Sequence, residues 1–386
     1  MQNLLEKLNS DILSKLSLDL ELDDVLNLER FSKKIIELRK PLYVMEEEQF
    51  FRCPKRYHRF LNLRFEISSE DDLEIYRDVH GICISESLPN GTVFSNLFEL
   101  DCSCSEIEDV SMFTSVRKLV CERSKIVDVH MMVNLVELDC SYTEIVDVSC
   151  LTKLVKLTCG NSNITDVSCL VNLTTLECTS CFIKDLSNNT NLTELDCSFT
   201  LVEYVNHLVK LTKLICDRTE SITDVSKLVN LEYLSCCGTS ISNVNNLTNL
   251  RTLICIETRV SDVNNLNRLT KLFCDLSDVT EVNNLVNLTE LSCESTEVKD
   301  VSSLTNLTYL SCTSSGVTNV LTLTKLIELR ADRTEIKELH TLKNLETLQC
   351  EHFQFTTREL KLQKLTEIIY IDDEEEGFVD YDDIYG

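Results

Sequence analysis

An α/β-type solenoid, a stack of short parallel strands wound in one coil, is the fold class this sequence predicts, and three observations predict it. First, cysteines stand at 102, 121, 140, 159, 178, 197 and 216, always 19 residues apart. They resume at 236, 255, 274, 293 and 312 after one extra residue between Thr219 and Ile222. Ala331 holds the place once and Cys350 closes the series, so 13 cysteines fill 14 repeats. Second, the apolar columns keep the same step. Leu135, Leu138 and Cys140 become Leu154, Leu157 and Cys159, then Leu173, Leu176 and Cys178, while Ile145, Val148 and Leu151 recur as Ile164, Val167 and Leu170. Third, the segment L-x-x-L-x-C alternates apolar and polar residues, the pattern of a short strand with one face buried. A single unit cannot bury its apolar face alone, whereas stacked units can.

The elements follow in chain order. Residues 8–35, LNSDILSKLSLDLELDDVLNLERFSKKI, place Ile12, Leu13 and Leu16 on one helical face and Val25, Leu26 and Leu28 on another, with Asp23 or Asp24 as a helix start. A third short helix would hold Phe31 and Ile35. Residues 52–64, RCPKRYHRFLNLR, carry five Arg or Lys and no acid. They suit an acidic partner or the protein's own acidic surface. Val79, Ile82 and Ile84 each precede Leu97, Leu100 and Cys102 by 18 residues, which predicts a degenerate first coil over 79–96 with a turn at Pro89-Asn90-Gly91.

From residue 97 the repeat takes over, reading L-x-x-L-x-C-x-x-(S/T)-x-(I/V)-x-D-V-x-x-L-x-x. Its strands should lie parallel at about 4.8 Å. Nineteen residues per turn leave little room for a helix, so the return segments should be 3-10 or extended. The recurrent cysteine is a small hydrophobe suited to a narrow interior. A continuous ladder cannot pair into disulfides without distorting the strands. Cys178 and Cys181 form one lone C-x-x-C with no second pair at zinc-site distance, so no metal or other cofactor is expected. Cys150 and Cys169 share an outer column and are expected to stay reduced. Asp109, Asp128, Asp147, Asp166, Asp185, Asp224, Asp262 and Asp300 form another column, read as caps of the outer turn that follows each. Leu365, Ile368 and Tyr370 suggest a last strand, and residues 372–386 carry eight acids and no base, as an acidic disordered tail does.

Charge narrows function. A net charge of −27 repels phosphate backbones and anionic lipid, which disfavours nucleic-acid and membrane partners and favours protein partners. Glycines number 7, too few for folds that rely on phosphate-cradling loops. No apolar run approaches the roughly 18 residues of a membrane span. The start, MQNLLEKLNSDIL, lacks the pattern of a secretory signal. Twenty cysteines without such a signal point to a reducing compartment, so a cytoplasmic location is expected. The NLT triplets at Asn172, Asn191, Asn246, Asn287 and Asn306 then read as by-products of the repeat.

The repeat resembles the leucine-rich-repeat family over residues 97 to about 368, and in style the short D-V-S-x-L repeats of internalin-like proteins. It differs in its shorter period and in placing Ser or Thr where the family has a turn asparagine. That resemblance implies a curved parallel sheet whose concave face binds a partner. Residues 8–35 resemble an F-box through Leu8, Asp11, Ile12, Leu13, Asp24, Val25, Leu26, Leu28, Phe31, Ser32 and Lys33, with Asn9 and Ile35 in place of the family's proline and tryptophan. The resemblance implies that Leu8, Ile12, Leu13, Leu16, Val25, Leu26 and Leu28 engage a Skp-type adaptor of a cullin ubiquitin ligase. The other reading is a helical cap on the first coil. Such a combination also resembles proteins of large DNA viruses of amoebae, which would place it in the host cytoplasm.

The expected organisation is therefore an F-box-like helical segment at 1–40, a linker and cap with the degenerate repeat at 41–96, the solenoid at 97–371 and the tail at 372–386. Ile215, Tyr233, Ile254, Ile256, Phe273 and Leu276 fall in columns that should face out from the strands, and together they form a candidate protein-binding patch. The six histidines are scattered through different repeat contexts and assemble no catalytic group, so an enzyme is not expected. A substrate receptor of a ubiquitin ligase and a binding scaffold without that link are the two functions carried forward.

Overall fold

The computed structural model describes residues 43–45, 63–67, 81–84, 97–351, 355 and 364–371. The expected helical segment at 1–40, most of the basic stretch and the acidic tail lie outside the described residues. Two compact units divide the chain, residues 1–164 and 165–386.

In the first unit seven strands follow one another: β1 (Tyr43–Met45), β2 (Leu63–Ile67), β3 (Gly81–Ile84), β4 (Glu99–Asp101), β5 (Lys118–Val120), β6 (Glu137–Asp139) and β7 (Lys156–Thr158). Each pairs in parallel with the next. The register between β4 and β7 is that of the cysteine spacing, Leu100 to Leu119 to Leu138 to Leu157. The degenerate coil is real: Ile82 pairs with Leu100. Two further strands, β1 and β2, precede it where the sequence showed only a linker and cap.

The second unit, taken by itself, is built from β8 (Thr175–Glu177), β9 (Glu194–Asp196), β10 (Lys213–Ile215), β11 (Tyr233–Ser235), β12 (Thr252–Ile254), β13 (Lys271–Phe273), β14 (Glu290–Ser292), β15 (Tyr309–Ser311), β16 (Glu328–Arg330), β17 (Thr347–Glu351) and β18 (Glu367–Ile371). All neighbours are again parallel. The extra residue after Thr219 leaves the sheet register intact. It is absorbed in the turn, where Ile222 N–H donates to Thr219 O at 3.1 Å and Ser221 Oγ to Val202 O at 2.8 Å. The last strand sets Tyr370 opposite Cys350, in the ladder column.

The coils share one interior pattern, with Phe113, Met132 and Asn189 standing in the column of Leu151. Leu135, Leu138, Cys140, Ile145, Val148 and Leu151 are all fully buried, and so are their counterparts Leu250, Leu253, Cys255, Val260, Val263 and Leu266. The ladder cysteines are thiols, buried throughout. Their chemistry adds something to their size. Cys121 N–H donates to Asp139 O at 2.8 Å, and Cys121 Sγ reaches the same oxygen at 3.3 Å. Cys274 repeats this with Ser292 O at 2.9 and 3.3 Å. One carbonyl of the next coil thus accepts both a backbone and a thiol donor, which a leucine could not supply. Burial pushes the thiols of Cys121, Cys178, Cys216, Cys236, Cys274 and Cys293 well above their ordinary range.

The Ser/Thr column does not form a hydroxyl ladder between coils. Thr143 Oγ1 donates to Cys140 O at 2.7 Å and Thr258 Oγ1 to Cys255 O at 2.7 Å, each within its own coil. Thr219, beside the insertion, is the exception and reaches back to Cys197 O at 2.7 Å. Between cysteine and hydroxyl the chain turns through a left-handed residue in coil after coil. Tyr142, Phe199, Glu257 and Leu276 have φ of 54–56°. Only Gly238 among these positions is the residue that adopts such a φ freely.

No helix occurs among the described residues, which corrects the α/β expectation there, and the return segments are turns and extended backbone rather than 3-10 helix. Spacing gives the reason. Leu151 N–H donates to Val148 O and Leu154 N–H to Leu151 O, both at 3.0 Å. The apolar residues three apart close successive single turns, so no helix propagates. Each Asp caps the turn after it, as Ser149 N–H donating to Asp147 Oδ1 at 2.8 Å shows. That backbone donor holds the carboxyls of Asp109, Asp128, Asp147, Asp224 and Asp300 below the usual carboxylate range. Several NLT asparagines also turn out to be structural. Asn191 Nδ2 donates to Val171 O at 2.9 Å while its Oδ1 accepts Lys210 Nζ at 2.6 Å, so the side chain ties its coil to both neighbours.

Candidate functional site

Because side chains alternate along a strand, the residues at one, three and minus one positions before each ladder cysteine share the outer sheet face. In the second unit this face changes character between β10 and β13. Cys237, Ile254 and Ile256 form a buried apolar cluster, with Tyr233 and Phe273 packed against it and only partly covered. The register explains the grouping: Ile254 lies directly beside Phe273 on one side and Ser235 on the other.

Of the six predicted residues, the structure brings four together: Tyr233, Ile254, Ile256 and Phe273. Two corrections follow. Ile254 and Ile256 point out of the sheet as expected but are 2% and 1% exposed, because the flanking aromatic rings and neighbouring strands cover them. They form the floor of the patch, not its contact surface. Ile215 is half-buried but separated from the cluster by Ser235, its register partner. Leu276 is 51% exposed and sits off the strand, at the left-handed turn position. The adaptor-binding residues Leu8, Ile12, Leu13, Leu16, Val25, Leu26 and Leu28 lie outside the described residues.

Carboxylates that the sequence reading passed over border this cluster. Asp217, Asp275, Glu294 and Asp332 occupy the position just after the ladder residue, the same column as Cys237 and Ile256. Asp217 accepts Ser235 Oγ at 2.8 Å and Cys237 N–H at 2.7 Å. Asp275 does the same three coils on, accepting Ser292 Oγ at 2.7 Å and Glu294 N–H at 2.6 Å. Ser311 Oγ donates in turn to Glu294. Asp332 accepts Gln349 Nε2 at 2.8 Å and Thr313 Oγ1 at 3.4 Å. Each acid therefore clips its coil to the next. The signal that could have found them is an acidic residue recurring in a column otherwise filled by Ser, Thr and apolar residues.

The electrostatics follow from burial. Desolvation, aided by the charge of Glu294 and opposed by the two donors, pushes Asp275 up to about 6. Burial, with the nearby Asp217 carboxylate, pushes Tyr233 up to about 12 and Cys237 up to about 12. The rim is basic in places. Lys213 Nζ sits 5.5 Å from the Tyr233 ring centroid, Lys271 Nζ bonds Glu290 at 2.9 Å, and Arg330 Nε bonds Glu328 at 3.0 Å beneath Tyr309. Among the described residues no group of three or more His, Cys, Asp or Glu is arranged to hold a metal ion.

No protein-family model matches the chain, and no curated protein matches it by sequence. Solved structures do match. The functional domain of InlJ from Listeria monocytogenes, which includes a cysteine ladder, aligns at 23% identity and a TM-score of 0.56 over 66% of this chain and 68% of that one. A leucine-rich-repeat protein of Leptospira interrogans aligns at 18% identity and a TM-score of 0.57 over 91% of this chain and 98% of that one. A plant peptide hormone receptor, RGFR1 in complex with RGF2, aligns at 16% identity and a TM-score of 0.55 over 86% and 75%. These identities speak to fold alone. Nineteen-residue coils, parallel three-residue strands and an interior column of thiols give this chain the leucine-rich-repeat fold in its cysteine-ladder form.

Proposed function

We propose that the chain is a non-enzymatic scaffold that binds a protein partner on the sheet face of its second unit. The observation that carries this reading is the apolar cluster of Cys237, Ile254 and Ile256, walled by the part-exposed rings of Tyr233 and Phe273 in a face otherwise lined mostly by charged and hydroxyl side chains. An apolar centre with a polar rim is the anatomy of a protein-binding surface. Aromatic residues there are the usual energetic anchors. The peptide complex of RGFR1 is an instance of the same fold engaging a peptide.

Phe273→Asp tests the reading. It places a charge over Ile254, and because Phe273 is part-exposed the coil keeps its interior. Co-precipitation from a lysate, followed by mass spectrometry, should lose the specific partners of the wild type while the thermal midpoint stays near that of the wild type. Undiminished capture would remove this face as the recognition surface. The narrower reading, a substrate receptor of a Skp-cullin ligase, is supported by the pattern of Leu8 to Lys33 alone. In the same experiment it requires a Skp-type adaptor among the captured proteins, lost in the full chain carrying Leu13→Asp and retained in Phe273→Asp.

A further inference from the structure

The carboxylate column beside the apolar cluster does more than clip coils together. From Ile256 the same column runs through Asp275, Glu294 and Thr313 to Asp332, at about 4.8 Å per strand. Asp275 and Asp332 are 6% and 3% exposed. Buried carboxylates are costly unless paired with cations or fully hydrogen-bonded. Here the partners are hydroxyl, amide and backbone donors, and Asp332 Oδ1 is buried with no hydrogen-bond partner. The neighbouring cations of this face bond other groups: Lys271 pairs with Glu290, and Arg330 with Glu328 beside the Tyr309 ring, within reach of the Glu294 charge. The column thus holds negative charge, one unfilled acceptor and an adjoining apolar seat.

We propose that this face takes a basic segment of a protein partner, with an apolar side chain seated between Tyr233 and Phe273 and separate lysine or arginine side chains received at Asp275 and at Asp332, which stand three strand steps apart. The proposal rests on the binding face assigned above and adds the chemistry of its occupant. Charge complementarity argues for it. A cation at Asp332 supplies the donor that its Oδ1 lacks, and one at Asp275 relieves the repulsion between Asp275 and Glu294, which lie one strand apart. Geometry sets the spacing. The path from Ile256 to Asp332 is four strand steps, or about 19 Å. An extended chain covers about 3.3 Å per residue. An apolar residue and a cation up to about four residues apart therefore span it with the reach of a long side chain. The buried carboxylate of Asp275, held near 6, also makes this end of the face sensitive to mild acid, where a protonated carboxyl no longer attracts a cation.

The test is a selection of random phage-displayed dodecapeptides on the full chain, run in parallel on Asp275→Asn, Asp332→Asn and Phe273→Asp. The wild type should enrich peptides in which an apolar residue precedes Lys or Arg by up to about four positions. Each Asn variant should lower that cation preference by about tenfold, the scale of one charge-assisted hydrogen bond, while keeping the apolar preference. Folding is controlled by thermal unfolding at pH 7. Asp275 is raised in the folded state, so its charged form weakens the fold above pH 6, and Asp275→Asn should be at least as stable as the wild type. Three results would overturn the proposal: no enriched peptide, enriched peptides without excess Lys or Arg, or an excess unchanged in both Asn variants. If the enriched peptides instead bind Phe273→Asp as well as the wild type, the binding face itself is misassigned.

Discussion

Replacing Leu253 by alanine should lower stability by about 2–5 kcal/mol, the range for a leucine deleted from a packed interior. Leu253 is fully buried, and its register partners Leu234 and Leu272 stand on either side of it in the same column. Its strand is hydrogen-bonded on both edges, so the backbone cannot close over the void. The value should therefore lie in the upper part of that range. Stability in stacked repeats is a sum of local terms, so the unfolding transition should also broaden as the coil around 253 opens ahead of its neighbours. Urea unfolding followed by circular dichroism measures both. A loss under about 0.5 kcal/mol would mean that the coil interior is not packed as described.

The ladder itself is tested by size. Cys255→Leu should cost about 1–3 kcal/mol, because it forces added methylenes into a column already filled on each side by Cys236 and Cys274. Cys255→Ala should cost about 1 kcal/mol, since it removes one sulfur from a site that keeps its backbone bonds. Those bonds are Cys255 N–H to Phe273 O at 2.8 Å and Thr258 Oγ1 to Cys255 O at 2.7 Å. The chain already carries this change at Ala331, which is fully buried with Thr334 bonded to its carbonyl. Chemical denaturation of the two variants side by side decides the matter. If leucine is tolerated as well as alanine, the coil is not narrow and the recurrence of a small thiol needs another cause.

The parts of the fold that repeat were legible, and for a physical reason. Each coil buries side chains at the same positions against its neighbours, so the period of the sequence is the register of the sheet. The strands around Leu100, Leu138 and Leu253, the absorbed insertion after Thr219 and the turn caps at Asp147 all follow from it. Strands β1 and β2 were not legible. Their offsets are 20 residues between β1 and β2 and 17 between β2 and β3, which break the period. The left-handed positions were hidden for a different reason. Cys104, Arg123, Tyr142 and Leu276 all adopt that conformation under tertiary constraint, and only Gly238 and Asn161 are of types that favour it.

The candidate site was half legible. Alternation along the strand assigns Ile254 and Ile256 correctly to the outer face, but it cannot register lateral cover, and on a sheet of closely spaced strands a ring such as Phe273 shields the residue beside it. The acids at 217, 275 and 332 were missed because charge on a sheet face reads as solvation. The structure shows instead that Asp217 and Asp275 are sunk beside serines of the adjoining coil, Ser235 and Ser292, and Asp332 beside Gln349.

The burial of the thiol column bears on where such a protein could work. An oxidant acts on a thiolate it can touch, and the ladder cysteines offer neither contact nor appreciable thiolate. A chain rich in cysteine for this reason would be as durable in oxidising surroundings as in reducing ones. Among the described residues, redox sensitivity would then fall to the solvent-facing Cys104 and Cys169 and the part-exposed Cys150, outside the ladder.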